Sequence, residues 1–172
     1  MEPANILQQF VKTSTGAAGS AGLKVANVYQ DLKSRAWAEN LWNRVVQLSG
    51  PDAVLAAAWS IEELNQAQAF QEAVSAATLA DVLMVSIHAG EQLPPGLCAW
   101  IDAWLPRRQR QDGALIALLG VVAGQPDVPS KQAEEYLRGV ARQGRLDFML
   151  HEHVGTFHRS KTFPTDASVT NV

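Results

Sequence analysis

The stretch Val82-Leu83-Met84-Val85-Ser86-Ile87 is apolar at every position except Ser86. A short run of this kind is typical of a strand that is covered on both faces of a parallel sheet. A second run, Ala114 to Leu119, has the same character. The two runs predict the centre of a sheet.

Three further apolar runs, at 25–29, 53–59 and 146–150, complete a set of five predicted strands. Apolar residues at helical spacing separate these runs. They are Trp37, Leu41, Val45 and Leu48; Ala67, Phe70, Val74 and Ala77; Leu97, Ile101, Trp104 and Leu105; and Ala133, Leu137, Val140 and Ala141. Pro94-Pro95 suit the first turn of the third helix, while Ser130 and Gly144 are the expected N-cap and C′ residues of the fourth.

Strands that alternate with helices pair in parallel, because a parallel neighbour requires a crossover connection. Right-handed crossovers favour the strand order 2-1-3-4-5. We therefore predict an α/β fold, a three-layer α/β/α sandwich with a five-stranded parallel sheet. Asp147 interrupts the last run, which suits a strand at the sheet edge.

The chain of 172 residues is expected to form one α/β domain over residues 23–153. Residues 1–22 contain a glycine-rich stretch after a short apolar segment, and we predict a flexible N-terminal segment. Residues 154–172 show no apolar periodicity and are predicted to be a flexible C-terminal tail.

Composition excludes several classes of protein. The net charge is -3, and the dense basic run at 107–110 follows an apolar helix, where cations favour the negative helix end, so we expect no nucleic-acid partner. The apolar run at 114–123 is too short to cross a bilayer, and we expect no membrane partner. With Cys98 as its one cysteine and no signal-like start, the chain is expected to be cytoplasmic.

From Lys24 to about Glu152, this layout resembles the flavodoxin-like superfold, and particularly the receiver domains of response regulators. That resemblance implies an acidic pair after the first strand, a phospho-accepting Asp ending the third, a hydroxyl after the fourth and a lysine after the fifth. Here only Asp31 follows the first strand, and Ser86 stands where the acceptor would be. The set that would hold Mg²⁺ and accept a phosphoryl group is incomplete, so phosphorylation is not expected.

Nucleotide-binding fingerprints are absent from the sequence. Flavodoxins cradle a phosphate in a Ser/Thr/Gly-rich loop after the first strand, but the loop here contains no glycine. Lys33, Ser34 and Arg35 near a helix N-terminus could attract an anion, although Ser34 also suits a capping role. We expect no cofactor.

Ligands of open α/β sheets bind beyond the carboxyl ends of the strands. The candidate rim site comprises Asp31, Trp59, Ser86, His88 and His151. Ser60, Gly120 and His153 fall at the same rim. With His88 or His158, the pair His151 and His153 could hold a transition metal, but the spacing matches no zinc motif and we expect surface histidines. Ser86 and His88 share a side of one strand but lack the sharp turn of a hydrolase nucleophile, so no catalytic residues are assigned.

Two functions remain open. The first is a non-catalytic, receiver-like interaction or signalling module that binds a protein partner or a second copy of itself, and we favour it because no catalytic set is complete. The alternative is a small-molecule-binding protein or an enzyme that uses the rim, with Asp31, His88 and His151 as its polar groups. Convergence of these three side chains in a pocket would support the alternative.

Overall fold

In a computed structural model, residues 22–89, 92–122 and 128–155 are described. Five strands form one sheet in the order β2-β1-β3-β4-β5, and every neighbouring pair is parallel. The strands are β1 (Leu23–Tyr29), β2 (Val54–Ser60), β3 (Val82–His88), β4 (Ala114–Val122) and β5 (Asp147–Gly155). The predicted fold class and strand order are confirmed, with Asp147 on an edge strand as expected.

Four helices connect the strands: α1 (Leu32–Ser49), α2 (Ala67–Leu79), α3 (Pro95–Trp104) and α4 (Val128–Gln143). Helix α1 begins at Leu32, five residues before the first residue of its apolar stripe, because Asp31 and Ser34 form a reciprocal capping box. Pro95 opens α3 as predicted. The predicted N-cap at Ser130 is wrong, since α4 begins at Val128 and Ser130 lies inside its first turn.

The two faces of the sheet are covered unequally. Buried residues of α2, α3 and α4 share one core cluster with Leu83, Val85 and the other central residues of that face. The opposite face has a smaller cluster, in which α1 supplies all the helical residues among the described parts of the chain. Of the two faces, the α1 face is therefore the more thinly covered by the residues that the structure describes.

Strand β5 continues to Gly155, two residues beyond the predicted end of the domain. The flexible segments predicted at 1–22 and 154–172 lie outside the described residues, except for Gly22 and residues 154 and 155. No helix in the described ranges is both long and apolar enough to cross a membrane.

One residue of the basic run after α3, Arg108, lies in the interior of the fold. The guanidinium of Arg108 is buried and donates hydrogen bonds to the carbonyl oxygens of Ala77, Ala80 and Asp112. Two of these carbonyls lie at the end of α2, where a helix exposes unpaired carbonyl groups and the negative end of its dipole. The cation therefore binds a helix C-terminus, as expected, but that of a neighbouring helix.

Replacing Arg108 with alanine is expected to lower the free energy of unfolding by about 2 to 4 kcal/mol, because three carbonyls lose a charged donor. Urea denaturation followed by circular dichroism measures the change. Arg107→Ala removes an exposed guanidinium one residue away and should change stability by less than about 0.5 kcal/mol. Equal losses in the two variants would contradict the structural role of Arg108.

Candidate functional site

Asp31 and His88 meet at the carboxyl ends of β1 and β3. The Nε2 atom of His88 lies 2.8 Å from Oδ2 of Asp31, and the backbone N–H of His88 donates to the side-chain oxygen of Gln30 at 2.9 Å. The strand order makes β1 and β3 neighbours, which places both residues at one rim. The sequence-predicted pair is thus brought within hydrogen-bond distance.

The Asp31 carboxylate also begins α1. Its Oδ1 accepts the backbone N–H of Ser34 at 2.8 Å, and the Ser34 hydroxyl accepts the backbone N–H groups of Gln30 and Asp31. Partial burial raises the pKa of Asp31, but the Ser34 N–H and the His88 imidazole lower it by more, so its pKa falls below the ordinary value. The Asp31 carboxylate thus caps the N-terminus of α1. Its negative charge makes this helix end unfavourable for binding an anion.

Trp37 joins this pair to β5. The indole ring meets the His88 ring edge to face at a centroid distance of 5.1 Å, and it stacks on His153 at 4.5 Å with the planes 4° apart. His153 in turn contacts His151 at 4.7 Å. Four rings therefore form a continuous row along the rim on the α1 face.

Gly120 makes room for the row. A Cβ atom on this residue would lie 2.5 Å from the ring of Trp37 and 2.8 Å from Nδ1 of His88. Contacts that close do not occur between packed atoms, so the two rings meet only because β4 carries no side chain at this position.

A pocket of about 140 Å³ opens between α1 and the neighbouring strands β4 and β5. Its lining residues are Trp37, Asn40, Leu41, Arg44, Leu118, His151 and His153. Trp37, the adjacent pair Asn40 and Leu41, and Arg44 follow one another at intervals of three or four and so share one face of that helix. The pocket therefore lies beside α1, where the sheet has no second helix among the described residues.

His153 is a titratable group of this pocket whose surroundings change its pKa. Burial, and then the charge of His151, lower its pKa below the usual value for histidine. Its Nε2 atom is buried and has no hydrogen-bond partner among the described residues. A buried polar atom without a partner is costly and calls for a missing water, ion or ligand.

The remaining candidate residues lie apart. Ser86 is fully buried, and its hydroxyl hydrogen-bonds to the side chain of Asn27 at 3.2 Å. Trp59 packs on the core of the opposite face. His151 lines the pocket, and its ring contacts are with His153, which stacks on Trp37, which in turn contacts His88. In the described ranges, no three His, Cys, Asp or Glu side chains could together hold a metal ion, and His158 lies outside them.

Sequence reasoning predicted Trp37 only as part of an apolar helical stripe and His153 only as a surface histidine at the rim. Both are half-buried members of the ring row, and His153 sits inside β5. One sequence feature could have indicated this site. Asn40 and Arg44 follow Trp37 at helical spacing, which places two polar residues beside the apolar stripe of α1.

Comparison with known proteins supports the fold. No protein-family model matches the chain, and no curated protein matches its sequence. Among solved structures, the chain is similar to "The Structure of Trp Repressor Binding Protein from Bacillus subtilis", with a TM-score of 0.54 and 10% sequence identity. The match covers 77% of this chain and 85% of that one. At this identity the likeness shows a shared flavodoxin-like fold.

Replacing Gly120 with alanine is expected to lower the free energy of unfolding by about 1 to 3 kcal/mol, because the new methyl group displaces Trp37 and His88. Gly139 in α4 has no atom within 4 Å of an added Cβ, so Gly139→Ala should instead stabilise the protein by about 0.5 to 1 kcal/mol. Urea titrations of both variants measure these changes. A Gly120→Ala protein as stable as the wild type would show that the ring row is not tightly packed.

Proposed function

We propose that the protein binds a small molecule in the pocket between α1 and strands β4 and β5. The observation that carries this proposal is the pocket itself, in which an indole, two imidazoles, an amide and a guanidinium converge beside Leu41 and Leu118. Ligand sites are concave, mostly apolar and supplied with a few polar groups of this kind. The buried Nε2 of His153, which has no hydrogen-bond partner within the described ranges, supports the same conclusion.

Binding is a better account of this rim than catalysis. In the described part of the chain, no hydroxyl or thiol hydrogen-bonds to His88, and Ser86 bonds instead to Asn27. The Asp31–His88 pair therefore orients an imidazole without a nucleophile to activate. We assign it a supporting role, since His88 packs against the indole that forms one wall of the pocket.

The test blocks the pocket mouth with a bulky residue. Asn40 is exposed and lines the pocket, whereas Asn43 is exposed on the same helix and does not line it. In ligand-observed NMR with a panel of single-ring fragments, we expect Asn40→Trp to weaken binding by at least about tenfold and Asn43→Trp to leave it unchanged. If the fragments bind all three proteins equally, the pocket is not their binding site. If no fragment binds the wild type, the proposal that the pocket is a ligand site is also refuted.

A second candidate function is the receiver-like interaction module, which the exposed β2 edge favours. Among the described residues β2 pairs only with β1. The backbone N–H of Ile61 donates to the carbonyl of Tyr29, towards the sheet. Because backbone groups alternate in direction along a strand, those of Ala56 and Ala58 point away from the sheet. The strand carries no charge or proline to discourage pairing. Leu55 is 56% exposed, and Leu48 and Leu79 near the same end of the strand are also exposed.

If a second copy pairs along β2, the protein should elute as a dimer in size-exclusion chromatography with light scattering. Leu55→Lys should then shift it to a monomer, because a charge would enter the paired surface. Leu32→Lys is the matched control, since Leu32 is 77% exposed at the opposite end of the fold. A wild-type protein that stays monomeric at high concentration would contradict the proposal that β2 pairs with a second copy.

A further inference from the structure

We propose that the pocket takes a neutral, single-ring heteroaromatic compound whose edge carries a hydrogen-bond donor next to an acceptor, as in a lactam or a pyrimidine base. This inference rests on the proposed function and adds the chemical class of the ligand. Four features of the pocket support it: its volume, its aromatic walls, its charges and the side-chain amide of Asn40.

The volume and the apolar floor of the pocket favour one ring. The volume of about 140 Å³ is close to that of apolar protein cavities that hold benzene, roughly 150 Å³. Leu41 and Leu118 are buried side chains that supply apolar surface to the lining. A single ring would cover this surface, whereas a small ion such as acetate would leave most of it uncovered.

The walls of the pocket are aromatic and favour a planar ligand. The indole of Trp37 and the imidazoles of His151 and His153 all line the pocket. Trp37 and His153 lie parallel to each other, whereas the rings of His153 and His151 stand at 78°. Aromatic rings attract one another when they are stacked with an offset or packed edge to face. An aromatic ligand therefore gains contacts with these walls that a saturated ring would not make.

The charges of the lining favour a neutral ligand. Of the seven described residues that form the pocket, none is acidic, so a cation would find no opposite charge among them. Arg44 already takes part in an interaction within the protein, so an anion would have to compete for its guanidinium. Burial, and then the charge of His151, lower the pKa of His153, which keeps that imidazole uncharged at neutral pH. A charged ligand would lose its hydration without gaining a dedicated partner.

The side-chain amide of Asn40 selects the polar edge of the ligand. Asn40 lines the pocket one helical turn after Trp37, and its side chain is exposed at the pocket mouth. A side-chain amide carries N–H donors beside a carbonyl acceptor. With this arrangement asparagine forms two hydrogen bonds at once to the donor–acceptor edge of an adenine base. The N–H and carbonyl of a lactam, or the matching edge of a pyrimidine base, present the same complementary pair on one ring.

The experiment titrates the full chain with 2-pyridone and 1-methyl-2-pyridone in ligand-observed NMR. The two compounds share a ring and a carbonyl, but the second lacks the N–H donor. We expect 2-pyridone to bind at least about fivefold more tightly, because methylation removes one of the two hydrogen bonds to Asn40. Asn40→Leu should abolish this preference, whereas Asn43→Leu, the same change at an exposed residue of α1 that does not line the pocket, should preserve it. Sodium benzoate should bind more weakly than 2-pyridone.

The other possible results separate this inference from the proposed function. Equal affinities for the two pyridones, both weakened by Asn40→Trp, would overturn the donor–acceptor edge and keep the pocket as a ligand site. A preference for 2-pyridone that survives in Asn40→Leu would overturn the role of Asn40, and tighter binding of benzoate would overturn the neutral ligand. No binding of either pyridone while other ring fragments occupy the pocket would overturn the inference, whereas no binding of any ring compound would refute the proposed function itself.

Discussion

Burial of β3 and β4 on both faces is the constraint from which the rest of the fold follows. Leu83, Met84, Leu115 and Ile116 are fully buried although they alternate between the two sides of the sheet. Both sides therefore need a helical layer, and crossover helices provide it only when the strands run in parallel. Parallel pairing brings every carboxyl end to one rim, which is why Asp31 and His88 meet although they are distant in sequence.

Unequal covering of the two faces by the described helices then creates the pocket. Five strands spaced about 4.8 Å apart make a sheet roughly 19 Å wide, whereas one helix with its side chains is about 10 to 12 Å across. Three helices fill one face, but α1 is the only described helix on the other and packs over the central strands. The flank over β4 and β5 is left with half-buried Met149, His151 and His153. A concave space beside α1 is the geometric result.

The fold was predictable from the sequence to a greater extent than the site. Strands that are buried on both faces are apolar at nearly every position, so the central strands and the strand order could be inferred from the sequence. Asp31 and His88 could be named as candidates because both follow or end strands at the carboxyl edge of the sheet. The sequence does not specify strand register or facing, and Trp59 was included although it lies on the opposite side. Trp37 was predicted only as part of an apolar helical stripe, because such residues look alike in the sequence whether a helix is covered fully or in part. The ring row also depends on the missing Cβ of Gly120, a contact visible only in three dimensions.

The polar pair at the rim and the pocket are parts of one mechanical unit. Asp31 fixes the first turn of α1 through Ser34 and fixes the ring of His88 through Nε2. The helix start sets the position of Trp37, and the ring of His88 packs edge to face with its indole. His153 stacks on the same indole, so one wall of the pocket is held from α1, β3 and β5 together. A carboxylate that caps a helix and orients an imidazole thereby supports a binding site without touching its ligand.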